Sequence, residues 1–298
     1  MQVKYTADKH AVGVISKLGR TEDIKFSPNN RRLAVLSFLN NKIAIFEVCI
    51  SASDYSRKIV MSDAFEISSA HLRRPHGVDF IDDEKIVVAN REGDVVVFEL
   101  PSGGGGRNYE LLPSELIRSG DVLNTPGSIA LTAKDKGRYE ALVCNNFSNQ
   151  VTRHMIDFRQ GYSTTSEILL KKWLSIPDGV AVSENWIAVS NTRCHNVLMY
   201  ENNGSLSEFS DPDGVLRCVR YPHGLRFTTD SRFLLVADAG APYVHIYRRD
   251  ASGWRGVRKP LKSYQVLGDE DFSRGQTTVY DGGPKGIDVD NSMSIFVS

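Results

Sequence analysis

Short apolar runs, broken by turn residues and returning in the same order, organise this chain from end to end. Six segments open on a turn signal and then alternate apolar with polar positions: Glu22-Asp23-Ile24-Lys25-Phe26, Pro75-His76-Gly77-Val78-Asp79-Phe80, Pro126-Gly127-Ser128-Ile129-Ala130-Leu131, Pro177-Asp178-Gly179-Val180-Ala181-Val182, Pro222-His223-Gly224-Leu225-Arg226-Phe227 and Pro284-Lys285-Gly286-Ile287-Asp288-Val289. A period of two after a tight turn predicts a short strand with one buried face. A second apolar run follows each: RRLAVLSF at 31–38, KIVVANR at 85–91, ALVCNN at 141–146, WIAVSN at 186–191, FLLVADAG at 233–240 and SIFVS at 294–298. Five of these lead into a third run (KIAIFEV, DVVVFEL, QVTRHMI, NVLMYEN, YVHIYRRD), and a less regular fourth closes the unit, as in SEILLKKWL at 166–174 and LKSYQVLG at 261–268.

The unit is therefore four short strands, recurring at positions 22, 76, 126, 178, 223 and 285, roughly 45 to 62 residues apart. No such unit buries its own face, and stacked units of this size predict an all-β, six-bladed β-propeller with four-stranded antiparallel blades, one domain over residues 1–298. The sixth unit reaches only two strands by Ser298. Residues 2–8 look like a third strand and residues 11–17 like a fourth, so strands from both termini are expected to close the ring and remove two open sheet edges.

Composition narrows the function. Lys+Arg and Asp+Glu both number 36, and the pI is near 7.1. A chain with no net charge gives no broad electrostatic case for binding nucleic acid or an anionic membrane. A mean hydropathy of -0.26 is that of a globular protein, and no stretch of 18 apolar residues predicts a membrane span. The N-terminus lacks the pattern of a secretory signal, so a soluble protein is expected, cytoplasmic or a secreted mature fragment. Four cysteines without CxxC spacing (Cys49, Cys144, Cys194, Cys218) suggest neither a disulfide scaffold nor a zinc knuckle. The sequons at Asn146 and Asn203 leave the compartment slightly open. The glycine run at 102–106 reads as a flexible loop, and Arg73-Arg74 and Arg248-Arg249 as solvated surface. No G-x-S-x-G elbow is present, so Ser-His-Asp catalysis has no sequence signature.

In a propeller the turn entering each first strand opens beside the central channel. The residues expected to converge there are Glu22, His76, Pro126, Asp178, His223 and Lys285. Two carboxylates, two imidazoles and an ammonium exceed what turn geometry requires, since Asn, Gly or Ser would serve a turn. Glu22, His76, Asp178 and His223 are the expected ligands of a divalent metal, and mixed His/carboxylate donors favour zinc, manganese or iron over calcium. The ends of the second strands supply Asn90, Asn145, Asn191 and Asp238, which read as strand-terminating residues and as the polar wall of any bound substrate.

The segments P-H-G-V-D-F…I-V-V-A-N and P-H-G-L-R-F…L-L-V-A-D resemble the NHL repeat, and Pro177-Asp178-Gly179 resembles the aspartate motif of the senescence-marker-protein (gluconolactonase) family of six-bladed propellers. That family holds a divalent cation with a glutamate, asparagines and an aspartate. The resemblance implies the glutamate at Glu22 and the aspartate at Asp178, with His76 and His223 standing where asparagine would be. Peptidylglycine-amidating lyases, NHL-type propellers with histidine-bound zinc, are similar in their Pro-His-Gly turns. The expected function is a metal-dependent hydrolase or lyase on a small carbonyl or lactone-like substrate, with Asp178 or His223 as general base and Lys285 stabilising negative charge. The alternative is a non-catalytic propeller that binds a peptide or protein. A monomer is expected in either case.

Overall fold

The computed structural model describes residues 3–52, 57–103, 108–118, 122–276, 278 and 280–298. Residue 2 of the expected N-terminal strand and residues 104–106 of the glycine run lie outside them. The fold is an all-β propeller, about 53% strand and 6% helix, and no helix among the described residues is long and apolar enough to cross a membrane. The chain divides into two compact units, Met1–Ile117 with Asp288–Val297, and Arg118–Ile287 with Ser298.

The first unit holds two blades. Blade 1 is the meander Thr21–Phe26, Arg32–Ser37, Lys42–Ala52 and Arg57–Ser68; blade 2 is Pro75–Asp82, Lys85–Asn90, Val95–Glu99 and Glu115–Ile117. The interleaved apolar faces bury Leu36, Ile43, Ile45, Phe65, Ile67, Val78, Ile86, Val88 and Phe98 in one cluster, the dominant driving force for stacking the sheets. A hairpin of Asp288–Val289 and Phe296–Val297 belongs to this unit, and Asp288 Oδ2 accepts from Phe26 N at 2.8 Å. The second unit holds three blades: Pro126–Asp135, Arg138–Asn145, Gln150–Asp157 and Ser163–Leu170; Pro177–Val182, Trp186–Asn191, Asn196–Glu201 and Gly214–Leu216; Pro222–Phe227, Phe233–Asp238, Tyr243–Arg248 and Lys262–Gln265.

Five sheets among the described residues thus have four or more strands, where the sequence predicts six blades. Among the described residues the sixth repeat contributes a two-stranded hairpin, and the N-terminal segment expected to complete it goes elsewhere. Lys4–Ala7 pairs in parallel with Arg57–Ser68 of blade 1. The expected fourth strand at 11–17 is instead part of the helix Lys9–Ile15. Asp8 caps it by accepting from Ala11 N at 2.7 Å, and Ala11, Val14 and Leu18 are buried while Val12 and Ile15 face solvent. That spacing has helical period, which overrides a reading as alternation.

Two devices repeat along the chain. The loop before the fourth strand of one blade sends a short segment onto the outer strand of the preceding blade: Asn108–Glu110 pairs in parallel with Arg57–Ser68, and Gly256–Arg258 with Gly214–Leu216. In the second device an asparagine in the turn between strands two and three, itself in the left-handed region, grips the residue before the next blade's proline. Asn41 (φ 53°) accepts from Arg74 N at 2.6 Å, and Asn149 (φ 53°) from Ile176 N at 2.8 Å. The gripped residues are also left-handed (φ 54° and 53°), a conformation unfavourable for β-branched Ile176. Asn149→Ala is expected to cost about 1–2 kcal/mol, since it removes that bond and the residue type that tolerates the turn; urea unfolding measures it.

The core of blade 3 contains a titratable group. His154 is fully buried between Thr152 Oγ1 and Ser166 Oγ, each 2.8 Å from a ring nitrogen. Burial pushes the imidazole down to about 4 from its ordinary 6.5. Below pH 6.5 the unfolded chain takes up a proton that the folded chain refuses until about pH 4. The contribution to stability is therefore complete above 6.5 and lost as pH falls toward 4, by about 3 kcal/mol. Urea midpoints at pH 7 and pH 4.5 should differ less in His154→Gln than in the parent chain.

Candidate active site

Strand register defines the equivalent position in each blade. The leading residue pairs with the last residue of strand two in all five: Thr21 with Ser37, Pro75 with Asn90, Pro126 with Asn145, Pro177 with Asn191 and Pro222 with Asp238, and a register shift follows each pair. The next residues are Glu22, His76, Gly127, Asp178 and His223. Gly127 therefore replaces Pro126 in the expected set, one residue along. A Cβ at Gly127 would stand 2.5 Å from Asn146 Oδ1 and 3.0 Å from Asp178 Oδ1. The glycine makes room for those two side chains to meet.

In the first unit Glu22 and His76 come together, buried, with His76 Nε2 3.5 Å from Glu22 Oε2. Guanidinium groups surround the pair. Arg20 Nε donates to Glu22 Oε1 at 2.5 Å, and Arg91 Nη2 donates to His76 Nε2. The Phe38 ring meets His76 edge-on at 6.0 Å and carries Arg20 over it at 4.9 Å. The imidazole lone pair and the carboxylate that a metal would need are here engaged by arginine, so a cation would have to displace Arg91 to reach His76 Nε2.

The second unit brings Asp178 and His223 together, both about 95% buried, with His223 Nε2 3.1 Å from Asp178 Oδ2. Asn146 Nδ2 donates to Asp178 Oδ1 at 2.8 Å, and His223 Nδ1 lies 3.2 Å from the Lys285 carbonyl oxygen. Both ring nitrogens face oxygen, so a protonated ring would make both bonds at once and a neutral ring one of them. A spacing of 3.1 Å also suits two neighbouring ligands of one ion, each at about 2.0–2.2 Å. Lys285 itself reaches Asp281, Nζ to Oδ2 at 3.3 Å. Against the cost of burial, the Thr278 hydroxyl and the Lys285 ammonium hold the Asp281 carboxyl below its ordinary value.

Asn90, Asn145, Asn191 and Asp238 are buried and turned to their own blade's entry loop. They accept from Arg73 N, Asn124 N, Ser175 N and Arg220 N, in each case two residues before the leading proline. Side chains alternate across a strand, and the residue one step further on supplies the polar contact. Arg91 reaches His76, Asn146 reaches Asp178, and Thr192 Oγ1 donates to the Pro222 carbonyl at 2.8 Å. Sequence reasoning missed Arg91 and Asn146; the doubled Asn145-Asn146 was the available signal. It also missed a line formed by Ser263, His245 and Asp238 in the fifth blade, for which no local motif exists.

No family model matches the chain, and no curated protein sequence matches it. Solved structures match in fold. The β-propeller domain of Cps50 from Myceliophteria thermophila is 11% identical over 83% of this chain and 73% of its own, with a TM-score of 0.50. A luciferin-regenerating enzyme is 10% identical over 83% and 76%, with a TM-score of 0.52. A candidate 6-phosphogluconolactonase from Bacteroides uniformis is 12% identical over 82% and 69%, with a TM-score of 0.51. Identities this low establish the propeller fold and leave activity to the site.

Proposed function

We propose that the chain is a hydrolase or lyase acting on a small carbonyl or lactone-like substrate, with Asp178 and His223 as its proton-transfer pair. The observation that carries this reading is the buried Asp178–His223 contact at 3.1 Å, in which an amide from Asn146 fixes the carboxylate and the Lys285 carbonyl fixes the ring. A structural turn needs neither the charge nor the second-layer support. Two structurally similar propellers, the luciferin-regenerating enzyme and the candidate lactonase, lend the reaction class.

For a lactone, the Asp178 carboxylate takes a proton from water as its oxygen bonds to the carbonyl carbon. The ring C–O bond then breaks, His223 gives its proton to the departing oxygen, and the proton held by Asp178 passes to His223 across their 3.1 Å contact. The Lys285 ammonium lowers the energy of the tetrahedral oxyanion. Should a divalent cation take part, Asp178 and His223 are the residues of this unit that would hold it, and it would supply Lewis-acid polarisation of the carbonyl.

The test is turnover of a panel of small lactones and esters by protein purified without chelator, with bound zinc, manganese and iron measured on the same sample. Ring opening that disappears in Asp178→Asn supports the proposal. Absence of turnover across the panel, with or without added metal, overturns it and leaves the propeller as a binding module. Equal metal content in the parent, Asp178→Ala and His223→Ala proteins removes the metal from the site.

A further inference from the structure

Ser263, His245 and Asp238 form a line across three strands of the fifth blade, within the second unit. His245 Nε2 stands 3.1 Å from Asp238 Oδ2, and His245 Nδ1 stands 2.7 Å from Ser263 Oγ. His245 and Asp238 are 6% and 1% exposed, whereas Ser263 lies exposed on the outermost strand, directly across from His245. Three backbone amides hold the carboxylate: Arg220 N and Tyr221 N at 2.8 Å, and Gly240 N at 3.0 Å.

The bonding fixes the protons. An ionised carboxylate only accepts, so His245 Nε2 carries hydrogen, and in the neutral ring Nδ1 then presents its lone pair, into which the Ser263 hydroxyl donates. That order of donor and acceptor is the one that activates a serine.

Blade 3 contains the same cross-strand pair without the carboxylate. His154 Nδ1 meets Ser166 Oγ at 2.8 Å, but His154 Nε2 meets the Thr152 hydroxyl, which in turn takes a hydrogen from the Asn145 amide. A hydroxyl and an amide therefore suffice to join strands three and four. The carboxylate in blade 5 adds something the staple does not need, a negative charge that stabilises the imidazolium formed when the serine loses its proton.

We propose that Ser263 is a nucleophile for acyl transfer from small esters and related activated acyl or phosphonyl compounds, with His245 as its base and Asp238 as a positioning residue. The Ser263 oxygen bonds to the carbonyl carbon while its proton passes to His245 Nδ1. The ester C–O bond breaks, His245 protonates the departing alkoxide, and water later cleaves the acyl-serine by the same route. This site is independent of Asp178 and His223.

The test uses the full chain and a fluorophosphonate probe, which forms a P–O bond to serine and loses fluoride, with labelled peptides identified by mass spectrometry. Labelling of Ser263 at least tenfold faster than of Ser166 is expected, absent in Ser263→Ala and lost in His245→Gln. Asp238 from strand two, Ser263 from strand four and Tyr243, stacked 6.1 Å away, are the polar and titratable groups facing His245. Removing the only carboxylate among them should slow labelling at least tenfold in Asp238→Asn and move the inflection of its pH profile to lower pH. A role confined to structure would not move that inflection. Equal labelling of Ser263 and Ser166, no label on Ser263, or labelling undiminished in His245→Gln overturns the proposal. Should Asp238→Asn fail to fold, the Ser263-to-Ser166 ratio in the parent chain decides.

Discussion

His223→Gln is expected to lower kcat for lactone opening by about 10²–10⁴-fold, the usual worth of a positioned acid or base. Glutamine keeps a donor near Asp178 but cannot take up or release a proton, so substrate binding and KM should change far less than kcat. Asp178→Asn tests the same pair from its other side. Because the two groups act as one unit, the double variant should be little worse than either single variant, rather than worse by the product of both losses. Steady-state kinetics on the three proteins, with circular dichroism to verify their fold, checks the expectation. Multiplying losses would mean that the two side chains work separately.

Gly179→Ala should be a strongly disruptive single-methyl change in the second unit. An added Cβ would lie 1.9 Å from the His223 carbonyl oxygen, a backbone atom that cannot rotate away, and Gly179 N donates to Ser190 Oγ. Overpacking of this kind costs about 3 kcal/mol, which lowers Tm by about 6–12 °C in a chain this long. Gly13→Ala provides the contrast. Nothing lies within 4 Å of a Cβ there, and the residue is interior to the helix Lys9–Ile15. That change should raise stability by about 0.5–1 kcal/mol through helix propensity alone. Thermal unfolding of both variants measures the pair.

The Gly179 contact also explains what the repeat was reporting. In the Pro-X-Gly openings, the proline is consistent with entry into a strand, and at Gly179 and Gly224 the glycine is needed because the next repeat's backbone carbonyl would lie 1.9 and 2.4 Å from a Cβ. These constraints fall on fixed positions of a short recurring motif, so the blade openings and strand orders were legible in the sequence. Side-chain direction at strand ends was less so. A single step separates Asn90 from Arg91 and Asn145 from Asn146, yet one member of each pair serves the loop and the other meets His76 or Asp178. The terminal segment was misread for a related reason: Ala11, Val14 and Leu18 fit an alternating count poorly and a helical face well. Ser263 could not have been found locally, because its partners lie 18 and 25 positions away and only cross-strand pairing aligns them.

The parallel segments Asn108–Glu110 and Gly256–Arg258 have a bearing on biosynthesis. Each outer strand is sheathed by residues that leave the ribosome only after most of the following blade. Until then the nascent chain carries an open row of amides and carbonyls along Glu66–Ser68 or Gly214–Leu216, the kind of edge that recruits other chains. Aggregation during synthesis should therefore peak in the intervals between one blade and its sheath, and a chaperone that occupies strand edges would be needed at those two moments more than at any other.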